Sequence, residues 1–179
     1  MIDAANLAEA DDLVTESNRV EFTIRDYKPE DFTTLWEIDQ LCFPPGISYS
    51  RYELSVYIRR RNAFTLIGEN GSGQTRQRIL GFLVAEAGGR HGGHIITIDV
   101  LAEARKQGVG TELLKTAEKR LRAAGCRVVY LETAVDNALA LAFYKGHGYD
   151  VIKTVPRYYS NGVDALVLEK NLLPAVSSG

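Results

Sequence analysis

Apolar and polar residues alternate with a period of two over residues 21–25, and several apolar stretches follow within the first hundred positions, a pattern that predicts β-strands. The predicted strands cover residues 21–25, 63–68, 79–87 and 94–101. After Pro29, apolar residues recur on one face of a predicted helix, namely Phe32, Leu35, Trp36 and Ile38. The run Phe43-Pro44-Pro45-Gly46 ends that helix, and an aromatic segment over 49–58 predicts a second one.

The pattern changes to longer helical repeats after residue 101. A helix predicted over 108–124 ends at Gly125, and its apolar stripe consists of Leu113, Leu114, Ala117 and Leu121. A strand over 128–133 and a helix over 137–147, capped by Asp136, follow. Asn161-Gly162 predicts a hairpin turn between two last strands, 149–155 and 163–170. We therefore expect one mixed α/β domain over 20–173, with tails at 1–19 and 174–179.

Composition and charge argue against several classes of function. The 179 residues suit one soluble domain, with 45% hydrophobic and 25% charged residues. A net charge of -2 predicts no direct nucleic-acid binding and no attraction to a membrane surface. With no apolar run of about 18 residues and no signal peptide, the expected location is cytoplasmic. Two cysteines are too few for a disulfide framework, and His91 and His94 have no neighbouring Cys or carboxylate, so no metal site is expected.

The most informative stretch is the turn between residues 100 and 111. Gly108 and Gly110 let the backbone approach an anion closely, and the free N–H groups of the following helix can hold a pyrophosphate. Arg105 and Lys106 add positive charge at a helix end that disfavours cations, which indicates an anionic ligand. Neither the P-loop nor the dinucleotide-binding glycine pattern is present. On spacing alone, a plain strand-to-helix turn explains this stretch equally well.

The same stretch, Arg105-Lys106-Gln107-Gly108-Val109-Gly110, matches the Gln/Arg-x-x-Gly-x-Gly/Ala motif of the GNAT acetyltransferases. From 96 to 172 the sequence resembles the members that acetylate protein N-terminal amines, including the ribosomal-protein alanine acetyltransferases. Further matches are Tyr130-Leu131-Glu132, Asp136-Asn137-Ala138, Phe143-Tyr144, Gly148-Tyr149 and Tyr158-Tyr159-Ser160-Asn161-Gly162. Two departures, Ala102 for a common Pro and Ala104 for a frequent aromatic residue, lie beside the anion-binding part of the motif.

The resemblance implies the GNAT fold, a mixed and mostly antiparallel sheet flanked by helices, and acetyl-CoA as co-substrate. It implies that Ile98 and Val100 pair with the pantetheine arm and that Asn137 hydrogen-bonds it. The pyrophosphate would be held by the loop and the helix start, through Arg105, Lys106, Gln107, Gly108, Val109, Gly110 and Thr111.

The resemblance also implies an acid and a base for amine acetylation. Glu132 would be the general base and Tyr144 the acid that protonates the leaving sulfur, with Glu21, Glu53 and Glu86 as alternative bases. An α-amine, with a pKa of about 8, is deprotonated by a carboxylate more easily than a lysine amine, with a pKa of about 10.4.

Two loops rich in aromatic residues and proline are expected to bind the acceptor, a protein or peptide N-terminus. The predicted contacts are Phe43, Pro44, Ile47, Tyr49, Tyr158 and Tyr159. These rings can equally cover the edges of the sheet. An acetyltransferase for small-molecule amines and a non-catalytic acyl-CoA-binding domain remain alternative functions.

Overall fold

The computed structural model describes residues 21–71, 78–88 and 92–173. The predicted tails at 1–19 and 174–179, and parts of two predicted turns, lie outside these ranges. Two short 3-10 turns occur at Pro29–Asp31 and Ala102–Ala104. The strands and helices of the described residues are β1 (Phe22–Asp26), α1 (Phe32–Cys42), α2 (Arg51–Ile58), β2 (Ala63–Asn70), β3 (Arg78–Ala87), β4 (Gly93–Val100), α3 (Val109–Ala123), β5 (Val128–Ala134), α4 (Ala138–Gly146), β6 (Asp150–Val155) and β7 (Ala165–Asn171).

The strands form one seven-stranded sheet in the order β1-β2-β3-β4-β5-β7-β6. Every neighbouring pair is antiparallel except β4 and β5, which run parallel. The mixed, mostly antiparallel sheet flanked by helices that the sequence predicts is therefore confirmed.

The β4–β5 pairing is unusually short. It contains only Gly93 opposite Val129 and His94 opposite Tyr130, although β4 continues to Val100 and β5 to Ala134. Beyond His94 and Tyr130 the two strands diverge, and a gap opens in the middle of the sheet.

The core lies between the sheet and the helices. Helix α3 packs on β2, β3 and β4 through the predicted stripe, in which Leu113, Leu114, Ala117 and Leu121 are fully buried. Burying each leucine contributes about 1.5–3 kcal/mol relative to exposure. Helix α1 packs on β3 and β4, and α2 packs on β2. These contacts fix the start of α3 beside the end of β4.

Two sequence-based boundaries need correction. Helix α4 begins at Ala138, and its cap is Asn137 instead of Asp136, because Asn137 Oδ1 accepts a hydrogen bond from the Ala140 N–H at 3.1 Å. The last strand begins at Ala165 instead of Val163. Asn161-Gly162 does not join β6 to β7 as a tight turn, since residues 156–164 form a longer loop with its own hydrogen bond from the Tyr159 N–H to the Val163 carbonyl, 3.1 Å.

Candidate functional site

A cavity of about 700 Å³ occupies the gap between β4 and β5. The start of α3, helix α4 and the loops around 43–49 and 156–164 complete its walls. The predicted site residues that line it are Phe43, Pro44, Ile47, Tyr49, Ile98, Val100, Arg105, Lys106, Gly108, Gly110, Thr111, Glu132, Asn137, Tyr144 and Tyr159. The fold thus brings residues from distant parts of the chain to one space.

Three predicted site residues do not line the cavity. The Val109 side chain is buried in the core, and the Gln107 side chain donates to the Glu103 carbonyl at 2.7 Å. Only their backbone N–H groups remain candidates for the predicted role. Tyr158 is half exposed and packs edge-on against Tyr159, with ring centroids 5.0 Å apart.

The turn before α3 has the geometry of an anion seat. Lys106 and Gly108 both have positive φ, 61° and 91°. The first helical hydrogen bond runs from the Glu112 N–H to the Gly108 carbonyl at 3.0 Å, so the N–H groups of the three residues between them come before it. Such N–H groups at a helix start attract phosphate. Two exposed cations, Arg105 and Lys106, stand at the same end of the cavity.

One edge of β4 faces the gap. The Leu101 N–H bonds the Leu80 carbonyl at 2.9 Å, so by alternation the backbone groups of Ile98 and Val100 point away from β3. The register shifts at Ile96, which has no partner on β3. The Ile96 carbonyl accepts from the Tyr49 hydroxyl at 3.3 Å. The Val100 carbonyl accepts from Arg105 Nε at 3.0 Å and Cys42 Sγ at 3.5 Å. The Ile98 backbone lies between these two occupied carbonyls.

Tyr144 lines the cavity from α4 with little of its surface in solvent. Its ring packs edge-on against Phe143 at 5.3 Å and Tyr149 at 5.6 Å. Burial first, and then the negative charge of Asp99, raises the pKa of Tyr144 above the ordinary value of 10.0. The phenol therefore keeps its proton at neutral pH and can act as a donor.

Glu132 is the carboxylate that β5 presents to the cavity. Its Oε2 lies 2.7 Å from His94 Nε2, and the His94 ring stacks on Tyr130 with a centroid distance of 4.5 Å. The sequence did not indicate this pairing, because the two residues are 38 positions apart.

The alternative bases have other partners or positions. Glu53 Oε2 accepts from the Ser50 N–H and hydroxyl in a helix cap. Glu86 is paired with Arg60 at 2.8 Å, and Glu21 is exposed at the first described position. Among the described residues, these three do not contribute to the cavity lining. The geometry thus favours Glu132 among the four.

Two buried carboxyls lie between α1 and β4, and the sequence analysis missed them. Asp39 Oδ2 accepts from the Tyr49 N–H at 2.8 Å, and Asp99 Oδ1 accepts from the Thr97 hydroxyl at 2.6 Å. Within the described residues, Asp39 Oδ1 and Asp99 Oδ2 have no hydrogen-bond partner. Burial raises the pKa of Asp39 to about 6 and the pKa of Asp99 well above its usual range.

No group of three or more His, Cys, Asp or Glu side chains that could hold a metal ion occurs in 21–71, 78–88 and 92–173. None of the helices within these ranges has an apolar stretch of the length needed to span a lipid bilayer.

Comparison with known proteins identifies a matching family model and individual proteins of similar sequence. The family model described as "Acetyltransferase (GNAT) family" matches residues 32–149. An uncharacterised N-acetyltransferase of Methanocaldococcus jannaschii is 32% identical over 148 residues, which cover 82% of this chain and 90% of that protein. N-alpha-acetyltransferase 30 of Schizosaccharomyces pombe is 28% identical over 121 residues, 65% of this chain and 77% of that protein.

Solved structures share the same fold. Ard1 from Thermoplasma volcanium superposes with a TM-score of 0.76 at 24% identity, covering 87% of this chain and 100% of that one. A NatC complex bound to Gag peptide and CoA matches with a TM-score of 0.74 at 23% identity, covering 86% and 99%. The ribosomal-protein-S18-alanine N-acetyltransferase from Escherichia coli has a TM-score of 0.72 at 18% identity, covering 89% and 99%.

Proposed function

The chain belongs to the GNAT family of acetyltransferases, and on that premise we propose that it transfers the acetyl group of acetyl-CoA to the N-terminal α-amine of a protein or peptide. The observation that carries this proposal is the shared cavity. One continuous space is lined by the glycine turn, the open edge of β4, Tyr144 and Glu132.

The residues present fit acetyl-CoA. The N–H groups at the start of α3, with Arg105 and Lys106, suit the pyrophosphate. The N–H of Val100 and the backbone of Ile98, at the open edge of β4, suit the amide groups of the pantetheine arm. Asn137 uses its Oδ1 to cap α4, and its Nδ2 is the group proposed to donate to the same arm. A bound acetyl-CoA supplies the acetyl thioester.

The reaction needs one base and one acid. In the proposed mechanism, Glu132 removes a proton from the acceptor amine, directly or through water, and the neutral amine attacks the thioester carbonyl. A C–N bond forms, the C–S bond breaks, and Tyr144 gives its proton to the departing sulfur. The nitrogen then loses its remaining extra proton to water, Glu132 releases its proton to solvent, and the Tyr144 phenolate regains a proton from water. The buried environment of Tyr144 keeps the phenol protonated at neutral pH, so its proton is available when the thiolate forms beside it.

The shape of the acceptor end favours a chain terminus. The Ser160 hydroxyl donates to the Gly46 carbonyl at 3.0 Å, so the two acceptor loops are in contact with each other. A Cβ added at Gly46 would lie 2.8 Å from the Asn161 Cβ, which indicates close packing of the loops. The acceptor end of the cavity is therefore narrow on this side. A narrow opening admits the free end of a chain more readily than an internal lysine, whose backbone continues in both directions. The relatives named N-alpha-acetyltransferase also support a peptide acceptor.

The test compares acceptors at equal concentration. Short peptides with a free N-terminus are expected to be acetylated, and the same peptides with a blocked N-terminus and an internal lysine are not. Thiol release gives the rate, and mass spectrometry locates the acetyl group. Preference for lysine, or for a polyamine or amino acid over every peptide, would overturn the acceptor assignment and favour the small-amine alternative.

A pair of variants tests the acceptor slot. Tyr159→Ala is expected to raise the KM for the peptide about tenfold, a change of about 1.4 kcal/mol, and to leave the KM for acetyl-CoA unchanged. Tyr52→Ala is the matched control, because Tyr52 is exposed on α2 and does not line the cavity. Equal peptide KM values in both variants would remove Tyr159 from the acceptor site.

A further inference from the structure

His94 and Glu132 meet at the point where β4 and β5 separate. His94 and Tyr130 form the last pair of the short parallel ladder, and Glu132 follows Tyr130 by two residues on the same face of β5. The side chain of Glu132 therefore enters the cavity just beyond the point where the sheet opens. His94 Nε2 and Glu132 Oε2 are 2.7 Å apart, and both side chains are about four-fifths buried.

The chemistry of the pair fixes the direction of the hydrogen bond. An ionised carboxylate can only accept, so the imidazole must donate from Nε2. The ring is held in place because it lies nearly parallel to Tyr130, with an angle of 9° between the planes. A donor with a fixed position restricts the carboxylate to one orientation.

Several charged or titratable groups surround this pair. Glu86 of β3 lies opposite His94 and is paired with Arg60. On β7, Glu169 lies opposite Tyr130. From the 156–164 loop, Tyr158 is near enough for the Glu132 charge to contribute, after burial, to raising the Tyr158 pKa. Among these groups, Glu132 is the one that both contacts His94 and lines the cavity.

We propose that His94 is a positioning residue for the proposed base: its Nε2–H holds Oε2 of Glu132 so that Oε1 faces the acceptor amine. This inference rests on the proposed function. The ring can donate from Nε2 whether it is neutral or protonated, so the positioning role does not depend on the charge of His94.

Two variants separate the hydrogen bond from the stacking. His94→Phe keeps an aromatic ring on Tyr130 and removes the donor, and we expect kcat to fall about tenfold with the KM for acetyl-CoA within about twofold of wild type. His94→Gln keeps a neutral donor. It is expected to recover most of kcat, because its side-chain amide can donate a hydrogen bond to the same carboxylate oxygen. Glu169→Gln, opposite Tyr130, is the matched control and should leave kcat unchanged.

A double-mutant cycle with Glu132→Gln tests the partner. His94→Phe should cost nothing further in the Glu132→Gln background, because the group that it positions is gone. Three results would overturn the inference. The first is a double variant whose kcat falls by the product of the two single effects, and the second is an unchanged kcat in His94→Phe. The third is an equal fall in kcat in His94→Phe and His94→Gln. The rates are measured with whichever amine the wild type acetylates, so failure of the peptide assignment does not remove the test.

A readout independent of turnover completes the test. Nitrogen NMR of the His94 ring should find the hydrogen on Nε2 in the wild-type protein at alkaline pH, and a mixture of both tautomers in Glu132→Gln. A wild-type ring that carries its hydrogen on Nδ1 would contradict the hydrogen bond itself, whatever the acceptor of the enzyme proves to be.

Discussion

At the scale of single residues, the apolar surroundings of Tyr144 decide its chemistry. Phe143 and Tyr149 cover the ring, and the Tyr149 hydroxyl is itself tied to Glu118 at 3.0 Å. A phenol in this environment resists ionisation, so it holds its proton through substrate binding. The departing sulfur can take this proton because its negative charge develops in the same apolar space, where burial raises the basicity of a thiolate as well.

Tyr144→Phe is expected to lower kcat about 100-fold, within the usual range for a lost general acid. The KM for acetyl-CoA should change little, since the proton is donated only in the transition state. Steady-state kinetics checks both values. Tyr149→Phe, which removes the bond to Glu118, should lower Tm and leave kcat near wild type. An unaltered kcat in Tyr144→Phe would exclude the acid role.

The sequence predicted some residues of the candidate site and missed others. Glu132 and Tyr144 were predicted because their motifs match a family, whereas nothing local distinguishes His94 as a partner of Glu132. That contact depends on the register between β4 and β5, which periodicity alone does not fix. Asp99 did carry a local signal, because it occupies an inward position of β4 in series with the buried Ile95 and Thr97.

At the scale of elements, the start of α3 is where backbone conformation and charge act together. Gly108 has a φ of 91°, and a Cβ added there would find nothing nearer than Phe22 at 3.9 Å. The glycine is therefore required by its left-handed conformation and not by lack of space. A substitution at 108 changes the conformational strain and the charge of the anion seat without a steric clash.

Gly108→Asp should weaken acetyl-CoA binding at least tenfold, or about 1.4 kcal/mol. Gly108→Asn is the matched control, because it has the same size and no charge, and asparagine tolerates positive φ better than most residues. Calorimetric titration is expected to find a smaller loss for Asn than for Asp. Wild-type affinity in a folded Asp variant would contradict the location of the anion seat.

The elements themselves were largely predictable, and the errors have local causes. Leu113 and Leu121 lie on the buried stripe of α3 as the helical period predicts, and Gly125 ends this helix at a φ of 87°. Asp136 and Asn137 are adjacent and both are favourable N-cap residues, and in the structure Asn137 caps the helix. The Asn161-Gly162 signal was real, but it makes a turn inside a loop, since the Tyr159 carbonyl accepts from the Gly162 N–H at 2.8 Å.

At the scale of the whole molecule, Asp39 and Asp99 are buried where the helical layer packs on the sheet. Asp39 on α1 also holds the backbone of Tyr49, a residue of the acceptor wall. The pKa of Asp39 is raised to about 6 from an ordinary value of 3.8. Between these pH values the folded state binds more protons than the unfolded state, so stability falls as the pH rises. The stability lost through Asp39 is fully lost above about pH 6. Because burial raises the pKa of Asp99 well above its usual range, stability continues to fall at higher pH through Asp99.

Asp99→Asn is expected to raise Tm at pH 7.5, by about 2–4 °C for each kcal/mol gained, and to raise it less at pH 5. The amide keeps the shape of the side chain and removes the charge that burial disfavours. Thermal unfolding between pH 4.5 and 8 measures the effect, with Asp150→Asn on exposed β6 as the control. A lower Tm for Asp99→Asn at pH 7.5 would mean that the ionised carboxylate is needed for folding.

The gap between β4 and β5 leaves the sheet short of the hydrogen bonds that a neighbouring strand would supply along the open edge of β4. In the proposed complex the pantetheine arm lies along that edge, so its binding and the folding of the protein are linked equilibria. An occupant at 100 times its Kd stabilises the folded state by about 2.7 kcal/mol. In that complex, a higher concentration of acetyl-CoA lowers the fraction of unfolded molecules. The chain is then expected to survive longer against proteolysis.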